Sequence, residues 1–185
     1  MKTAFVIQHK PTEERKKLLL KIINVLPQSV IYADTVNNPK ETFIASLDQT
    51  IGHWHLEDDV ILAPDFKKRI KNIHNCDDIF ISGFDRRKWN GYCENIYMSA
   101  SQFIANLCVY IPGKYCKKLY EFAYNWEGWN KHKTGFDLCI RDFLIKNKLK
   151  YLLIRPSLVD HAQVKSELGS RSKYRQSSSF KKYYG

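Results

Sequence analysis

The chain opens on a short apolar run, Ala4-Phe-Val-Ile7, with polar residues on either side, and it reads as a buried first strand over residues 3–8. From residue 12 the period changes. Leu18, Leu19, Ile22, Ile23 and Leu26 recur at helical spacing. Thr12 stands where an N-cap belongs, Glu13 and Glu14 suit the positive start of a helix, and Pro27 ends it. Residues 29–33 read as a second strand. Pro39 opens a second helix, running to about residue 51 with Phe43, Ile44 and Leu47 inward, and Gly52 stops it. Residues 53–56 form a third strand.

The second half continues the alternation. A basic helix is predicted over 64–74 (Lys67, Lys68, Arg69, Lys71), then a strand over 78–82 ending at Gly83-Phe84-Asp85. Residues 86–97 read as a polar, aromatic loop with Trp89 and Tyr92, and 103–111 as the longest apolar strand. Pro112 begins a helix to about residue 125, a loop carries Trp126 and Trp129, and Asp137 stands at the start of a helix to about 146. Residues 151–154 make the last strand. Strands alternating with helices predict an α/β fold: a single Rossmann-like domain with a mostly parallel central sheet flanked by helices, over residues 1–164. Residues 165–185 differ, with six basic residues, one acid (Glu167) and many serines; such a basic tail is mobile or folds over a charged ligand.

One stretch stands out against this pattern. Glu57, Asp58 and Asp59 follow the third strand and lead straight into the apolar Val60-Ile-Leu62. Clustered carboxylates repel one another, and placing them between apolar segments is costly unless something positive sits on them. A divalent cation or a basic substrate group would serve, and hard oxygen ligands suit Mg²⁺ or Mn²⁺. The plainer alternative is a solvated acidic turn. The predicted sheet favours the former, because the cluster falls at the carboxyl end of a central strand, where open α/β sheets bind ligands.

Composition narrows the class. The 185 residues suit one domain with its own core, and 44% hydrophobic residues exclude a disordered chain. A formal charge of +11 points to a polyanionic partner, or to a generally lysine-rich source. Cys76, Cys93, Cys108, Cys116 and Cys139 form no Cys-x-x-Cys pair, so a structural zinc site is not expected; Cys108 and Cys139 read as buried thiols, and a reducing, cytoplasmic setting is the expectation. No apolar stretch approaches a membrane span, and the N-terminus lacks a signal-peptide core.

Two segments carry a family resemblance. Leu56-Glu-Asp-Asp-Val-Ile-Leu-Ala-Pro-Asp-Phe66 resembles the acidic Asp-x-Asp-type motif of GT-A glycosyltransferases, including the lipooligosaccharide-type family and small phage or bacterial enzymes. Pro156-Ser-Leu-Val-Asp-His-Ala-Gln-Val-Lys-Ser166 resembles the closing segment of the same enzymes. The resemblance implies a nucleotide-sugar donor, a UDP-sugar first, and Mn²⁺ or Mg²⁺ held by Asp59, with His161 completing the metal shell, touching the diphosphate, or merely capping a strand end. It implies that Glu57 and Asp58 orient the donor ribose and sugar or bind the metal through water, and that Gln8, His9 and Arg15 lie near the nucleotide, with a surface place on its helix the alternative for Arg15. The resemblance does not cover the tail, where Lys165, Ser166 and Arg171 are candidates to close over the diphosphate as a lid, or else are solvated. For an inverting enzyme Asp137 is the candidate general base, or else only stabilises its helix start; Asp85 is a second candidate base or a donor-sugar contact. The acceptor expected is DNA carrying hydroxymethylated bases, slightly ahead of a phosphorylated glycan. A metal-dependent nuclease and a noncatalytic nucleic-acid-binding protein are the alternatives; the nuclease requires a second carboxylate set converging on Glu57–Asp59.

Overall fold

The computed structural model describes residues 4–73, 78–88, 91, 94–162, 164 and 176–185. Trp89, Tyr92, Cys76, Cys93 and the three lid candidates Lys165, Ser166 and Arg171 lie outside the described residues.

The first strand, β1 (Ala4–His9), leads into α1 (Glu13–Val25), whose start is fixed by the Thr12 side chain accepting from the Arg15 backbone N–H. Strand β2 (Val30–Ala33) follows, then α2 (Pro39–Ser46), capped by the Asn38 side chain and opened by Pro39. This helix is shorter than its apolar spacing predicts. The Ser46 hydroxyl bonds the Phe43 carbonyl at 2.6 Å, and tight turns at Asp48 and Gln49 take the chain to Gly52. A β-carbon on Gly52 would lie 2.4 Å from the Tyr110 hydroxyl and 3.2 Å from the Gly113 nitrogen, so any larger residue would have to displace the Tyr110 ring.

Strand β3 (His53–Glu57) carries the acidic turn, and Val60–Leu62 forms a short strand, β4. The basic helix α3 (Phe66–Ile73), β5 (Phe80–Ser82), β6 (Ile96–Ser99), β7 (Cys108–Ile111), α4 (Gly113–Tyr124), α5 (Phe136–Lys146), β8 (Lys150–Leu153), β9 (Val159–His161) and α6 (Ser178–Tyr184) complete the order. Two differences from the sequence reading stand out. Ile96–Ser99 is an edge strand rather than loop, and the strand expected over 103–111 begins only at Cys108, after a single helical turn at Ala100–Gln102.

The main sheet runs β2-β1-β3-β7-β5-β8-β6, with β4 and β9 forming a separate antiparallel ribbon. The pairs β2–β1, β1–β3 and β5–β8 are parallel; those involving β7 and β6 are antiparallel. Five strands therefore point one way and two the other. Side chains alternate faces as a pleated sheet requires. Cys108 and Tyr110 of β7 join Leu152 of β8 under α1, α3 and α6, while Val109 and Ile111 join Tyr151 and Leu153 under α2, α4 and α5. The result is a three-layer sandwich with helices on both faces.

The described end of the basic tail, residues 176–185, packs onto the domain. Phe180 of α6 is buried in the same hydrophobic cluster as Phe66, Ile70 and Val60, and Tyr184 donates to Asp65 at 2.6 Å and accepts from Arg69 at 2.9 Å. Ser177 caps α6 through the Phe180 N–H and makes a buried hydroxyl cluster with Ser157 and Ser179. Ser177 and Ser179 of the serine-rich tail are thus internal hydrogen-bonding groups. Among the described residues no helix is long and apolar enough to cross a membrane.

Candidate functional site

The acidic turn sits at the edge of the sheet where β1, β3, β5 and β8 end. In register, Gln8 of β1 lies beside Glu57 of β3, and the Asp58 N–H donates to the Gln8 carbonyl at 3.1 Å. Because β7 is antiparallel to β3, the residues just before it, Asn106 and Leu107, reach the same edge, and the Glu57 N–H donates to the Leu107 carbonyl. The β4–β9 ribbon brings in the second motif. Val60 pairs with His161, and the Ala162 N–H donates to the Asp59 carbonyl at 2.8 Å. Two segments a hundred residues apart thereby become neighbours.

The three carboxylates have separate environments. Asp58 is fully buried, and both of its oxygens are engaged: one takes His9 Nδ1 at 2.5 Å and the Lys10 N–H at 2.8 Å, the other Arg15 Nη1. This carboxylate ties β1 and α1 to the acidic turn. Asp59, 2% exposed, accepts from Arg15 Nη2 at 2.7 Å through Oδ2, while its Oδ1 has no partner among the described residues. His161 Nε2 lies 3.4 Å from Asp59 Oδ2, an ion-pair separation without a hydrogen bond, and is likewise without a hydrogen-bond partner among the described residues. Burial opposes the charge of Arg15, yet Asp59, Asp58 and Glu57 outweigh it and hold the guanidinium above its ordinary pKa. The positive group that the acidic cluster required is thus partly supplied from within, by Arg15. Its reach was not legible from its place on a helix.

Glu57 faces a pocket of about 160 Å³ shared with Arg86, Asn106, Thr134, Phe136, Asp137 and His161. Burial, then the charge of Asp59, pushes the Glu57 carboxyl up to about 8. Asp137 is raised by burial as well, against the backbone N–H groups at the start of α5 and the charges of Arg86 and Arg141. The Asn106 amide nitrogen and Gln8 Oε1 are buried at the same edge without partners among the described residues. Asp85 stands apart from this group. Its carboxylate accepts from Arg87 Nε at 2.7 Å on one oxygen and from Arg155 Nε and Nη2 at 3.1 and 2.9 Å on the other. It clamps the end of β5 to the segment after β8, and it does not line the pocket.

Asp59 and His161 offer one oxygen, Oδ1, and one nitrogen, Nε2, without partners among the described residues, while the Asp59 oxygen 3.4 Å from His161 is Oδ2, which Arg15 already holds. No group of three or more His, Cys, Asp or Glu is placed to hold a metal among the described residues. Any Mg²⁺ or Mn²⁺ here would therefore draw most of its shell from water and ligand phosphates, which is how Mg²⁺ is commonly bound.

Of the candidate residues, the fold brings Gln8, Arg15, Glu57, Asp58, Asp59, Asp137 and His161 to one edge. Sequence reasoning missed Lys10 and Asp34, which pair at 3.2 Å beyond the ends of β1 and β2, and it missed the pocket residues Arg86, Asn106 and Thr134. Asn106 gave one faint signal, a lone amide just before an apolar strand. No protein-family model matches the chain, and no curated protein matches it.

Proposed function

We propose that the chain is a metal-dependent glycosyltransferase of the GT-A type, moving a sugar from a nucleotide-sugar donor, a UDP-sugar first, to a hydroxyl of a polyanionic acceptor. The observation that carries this reading is that Asp59 Oδ1 and His161 Nε2 are both buried without a partner among the described residues, in side chains that approach to 3.4 Å through Asp59 Oδ2, with His161 lining the pocket that holds Glu57 and Asp137. A buried polar atom without a partner is costly, and its retention at a ligand-binding edge favours a missing ligand.

Asp59 and His161 are the residues that would hold Mn²⁺ or Mg²⁺, and such an ion, when bound, offsets the negative charge of a departing diphosphate. Arg15 fixes Asp59 through Oδ2 and leaves Oδ1 without a partner among the described residues. Asp58 anchors the turn, so the carboxylates on either side of it keep their positions. Asp137 serves as general base for an inverting transfer. The acceptor oxygen bonds the anomeric carbon, the bond from that carbon to the diphosphate oxygen breaks with its electron pair, and the hydroxyl proton passes to an Asp137 oxygen. Arg86 beside Asp137 favours the ionised carboxylate before transfer.

The nuclease reading draws support only from Asp137, which joins Glu57 in the pocket. Asp85, its other expected contributor, is occupied by two arginines. The transferase reading needs one metal and ranks first.

The test is calorimetric and thermal titration of the metal-free protein with Mn²⁺ and UDP, GDP or CMP. A nucleotide present at a hundred times its Kd stabilises the fold by about 2.7 kcal/mol. The expected result is a Mn²⁺-dependent shift with one nucleotide, lost in Asp59→Asn. Stabilisation by DNA alone, with no nucleotide response, overturns the proposal.

A further inference from the structure

The positive charge is not spread evenly over the two helical layers. On the layer of α1, α3 and α6, helix α1 exposes Lys16, Lys17 and Lys21. Helix α3 exposes Lys67, Lys68 and Lys71, and α6 exposes Lys181 and Lys182. The only acids of these three helices are Glu13 and Glu14, both in the first turn of α1, and of these lysines only Lys16 is ion-paired among the described residues, to Glu13 at 2.7 Å. On the opposite layer lysines alternate with acids: Lys114 pairs with Asp78, Lys117 with Glu121, and Arg141 with Asp142.

Apolar side chains stand among these lysines. Leu20 of α1 is 60% exposed, Ile61 of β4 46% and Tyr183 of α6 57%. The three helices share one hydrophobic cluster with β4, and α6 is tied to α3 through Tyr184, so they form one continuous packed layer. The arginines of this layer turn inward: Arg15 holds Asp58 and Asp59, and Arg69 holds Tyr184 and the carbonyl of Pro156. The exposed charges that remain are lysines, apart from Glu13 and Glu14, with Leu20, Ile61 and Tyr183 exposed on the same elements.

We propose that the outer face of the α1, α3 and α6 layer is a docking surface for an anionic lipid bilayer. Lysine meets lipid headgroup phosphates as a point charge, and exposed Leu, Ile and Tyr gain by entering the headgroup region. A nucleic-acid surface would favour outward arginine and gain little from Leu20 and Ile61. This inference stands whether or not the transferase reading does. Joined to that reading, it moves the acceptor from DNA toward a phosphorylated or lipid-linked glycan presented at the membrane.

The experiment is flotation of the full chain with vesicles of phosphatidylcholine alone or with about a quarter phosphatidylglycerol, at low and high salt. Binding is expected only to the anionic vesicles and falls as salt rises. Each lysine near the surface contributes about five-fold to partitioning, so Lys21→Glu, Lys68→Glu and Lys182→Glu together reduce it by more than about 100-fold. The matched triple on the opposite layer, Lys117→Glu, Lys118→Glu and Lys146→Glu, keeps binding within about three-fold. Circular dichroism and urea midpoints confirm that both variants fold. Absence of binding by the unaltered protein overturns the proposal, as does equal loss in the two triples. Tighter binding to a short DNA duplex, abolished by the first triple, overturns it in favour of nucleic acid.

Discussion

Asp58 is the residue on which the edge of the sheet depends, and replacing it with Asn tests that claim. The carboxylate is buried and accepts three hydrogen bonds, from His9, the Lys10 backbone and Arg15. An amide of the same shape has one acceptor oxygen and a donor group in place of the other. That donor must face either the Arg15 guanidinium or the His9 and Lys10 donors, so one side of the hub is lost. Arg15 keeps Asp59 at 2.7 Å, which limits the damage. Breaking a buried charged pair costs about 3–5 kcal/mol, and the remaining Asp59 contact places Asp58→Asn near about 3 kcal/mol. With a urea dependence of about 1–3 kcal/mol per molar, the unfolding midpoint falls by roughly 1–3 M. Urea unfolding followed by tryptophan fluorescence measures this directly. The double variant Asp58→Asn with Arg15→Gln should cost less than the sum of the two single changes, because the groups act as a unit. A loss under about 1 kcal/mol, or strict additivity, would refute the hub.

His53 and His55 give a pH signature. Burial holds His53 at about 4 and His55 at about 3, against an ordinary 6.5, so both are neutral when folded and take up protons when the chain unfolds below 6.5. Stability is therefore full above 6.5 and is lost as pH falls toward 4, by about 2 kcal/mol per histidine at pH 5; urea midpoints against pH check this, and His55→Gln should flatten the slope. Glu57 acts with the opposite sign. Its carboxyl ionises near 4.5 when unfolded and about 8 when folded, so in EDTA its contribution is lost as pH rises between those values. Glu57→Gln should then be the more stable protein at pH 8 by more than about 1 kcal/mol, with no advantage at pH 4.5. The two aspartates named as bases should separate in kinetics and stability. Asp137→Asn should lose at least about 100-fold in turnover with its melting temperature retained. Asp85→Asn should lower stability by about 2–3 kcal/mol, because it loosens Arg87 and Arg155.

Much of the fold follows from local pattern. Thr12, Pro27 and Pro39 mark helix ends that the structure reproduces, and the apolar runs of β1, β2, β3 and β8 fall where strands form. The failures share a cause, which is that pairing partners are distant in sequence. Ile96–Ser99 has no strong alternation and becomes a strand only because β8 offers an unpaired edge. Val60–Leu62 reads simply as an apolar run, yet its partner at 159–161 converts it to a ribbon and brings His161 to Asp59. The site was legible as a list of residue types and not as an arrangement. Glu57, Asp59, Asp137 and His161 announce themselves by charge or motif, whereas Asn106 and Arg86 enter only because the antiparallel β7 and the end of β5 bring their flanking residues to the same edge.

The division between arginine and lysine ties the site to the surface. Arg15, Arg69, Arg87 and Arg155 each reach inward to carboxylates, a hydroxyl or backbone carbonyls, where a planar fork of donors can satisfy several acceptors at once. The lysines of α1, α3 and α6 stay outside. Helix α1 shows both uses within one turn: Arg15 points to the acidic hub while Lys16 and Lys17 are solvent-exposed. A partner attracted to the lysine face therefore meets a helix whose first turn already holds the acidic turn of the site. Docking on that face would hold the sheet edge of the acidic turn beside the surface that attracts it, and under the proposed transferase function an acceptor anchored to that surface would be concentrated where Asp137 and Glu57 line their pocket. A duplex of nucleic acid offers the same charge, but it leaves Leu20, Ile61 and Tyr183 without an apolar phase to enter. Those three exposed residues, more than the net charge of +11, are what separate the two partners.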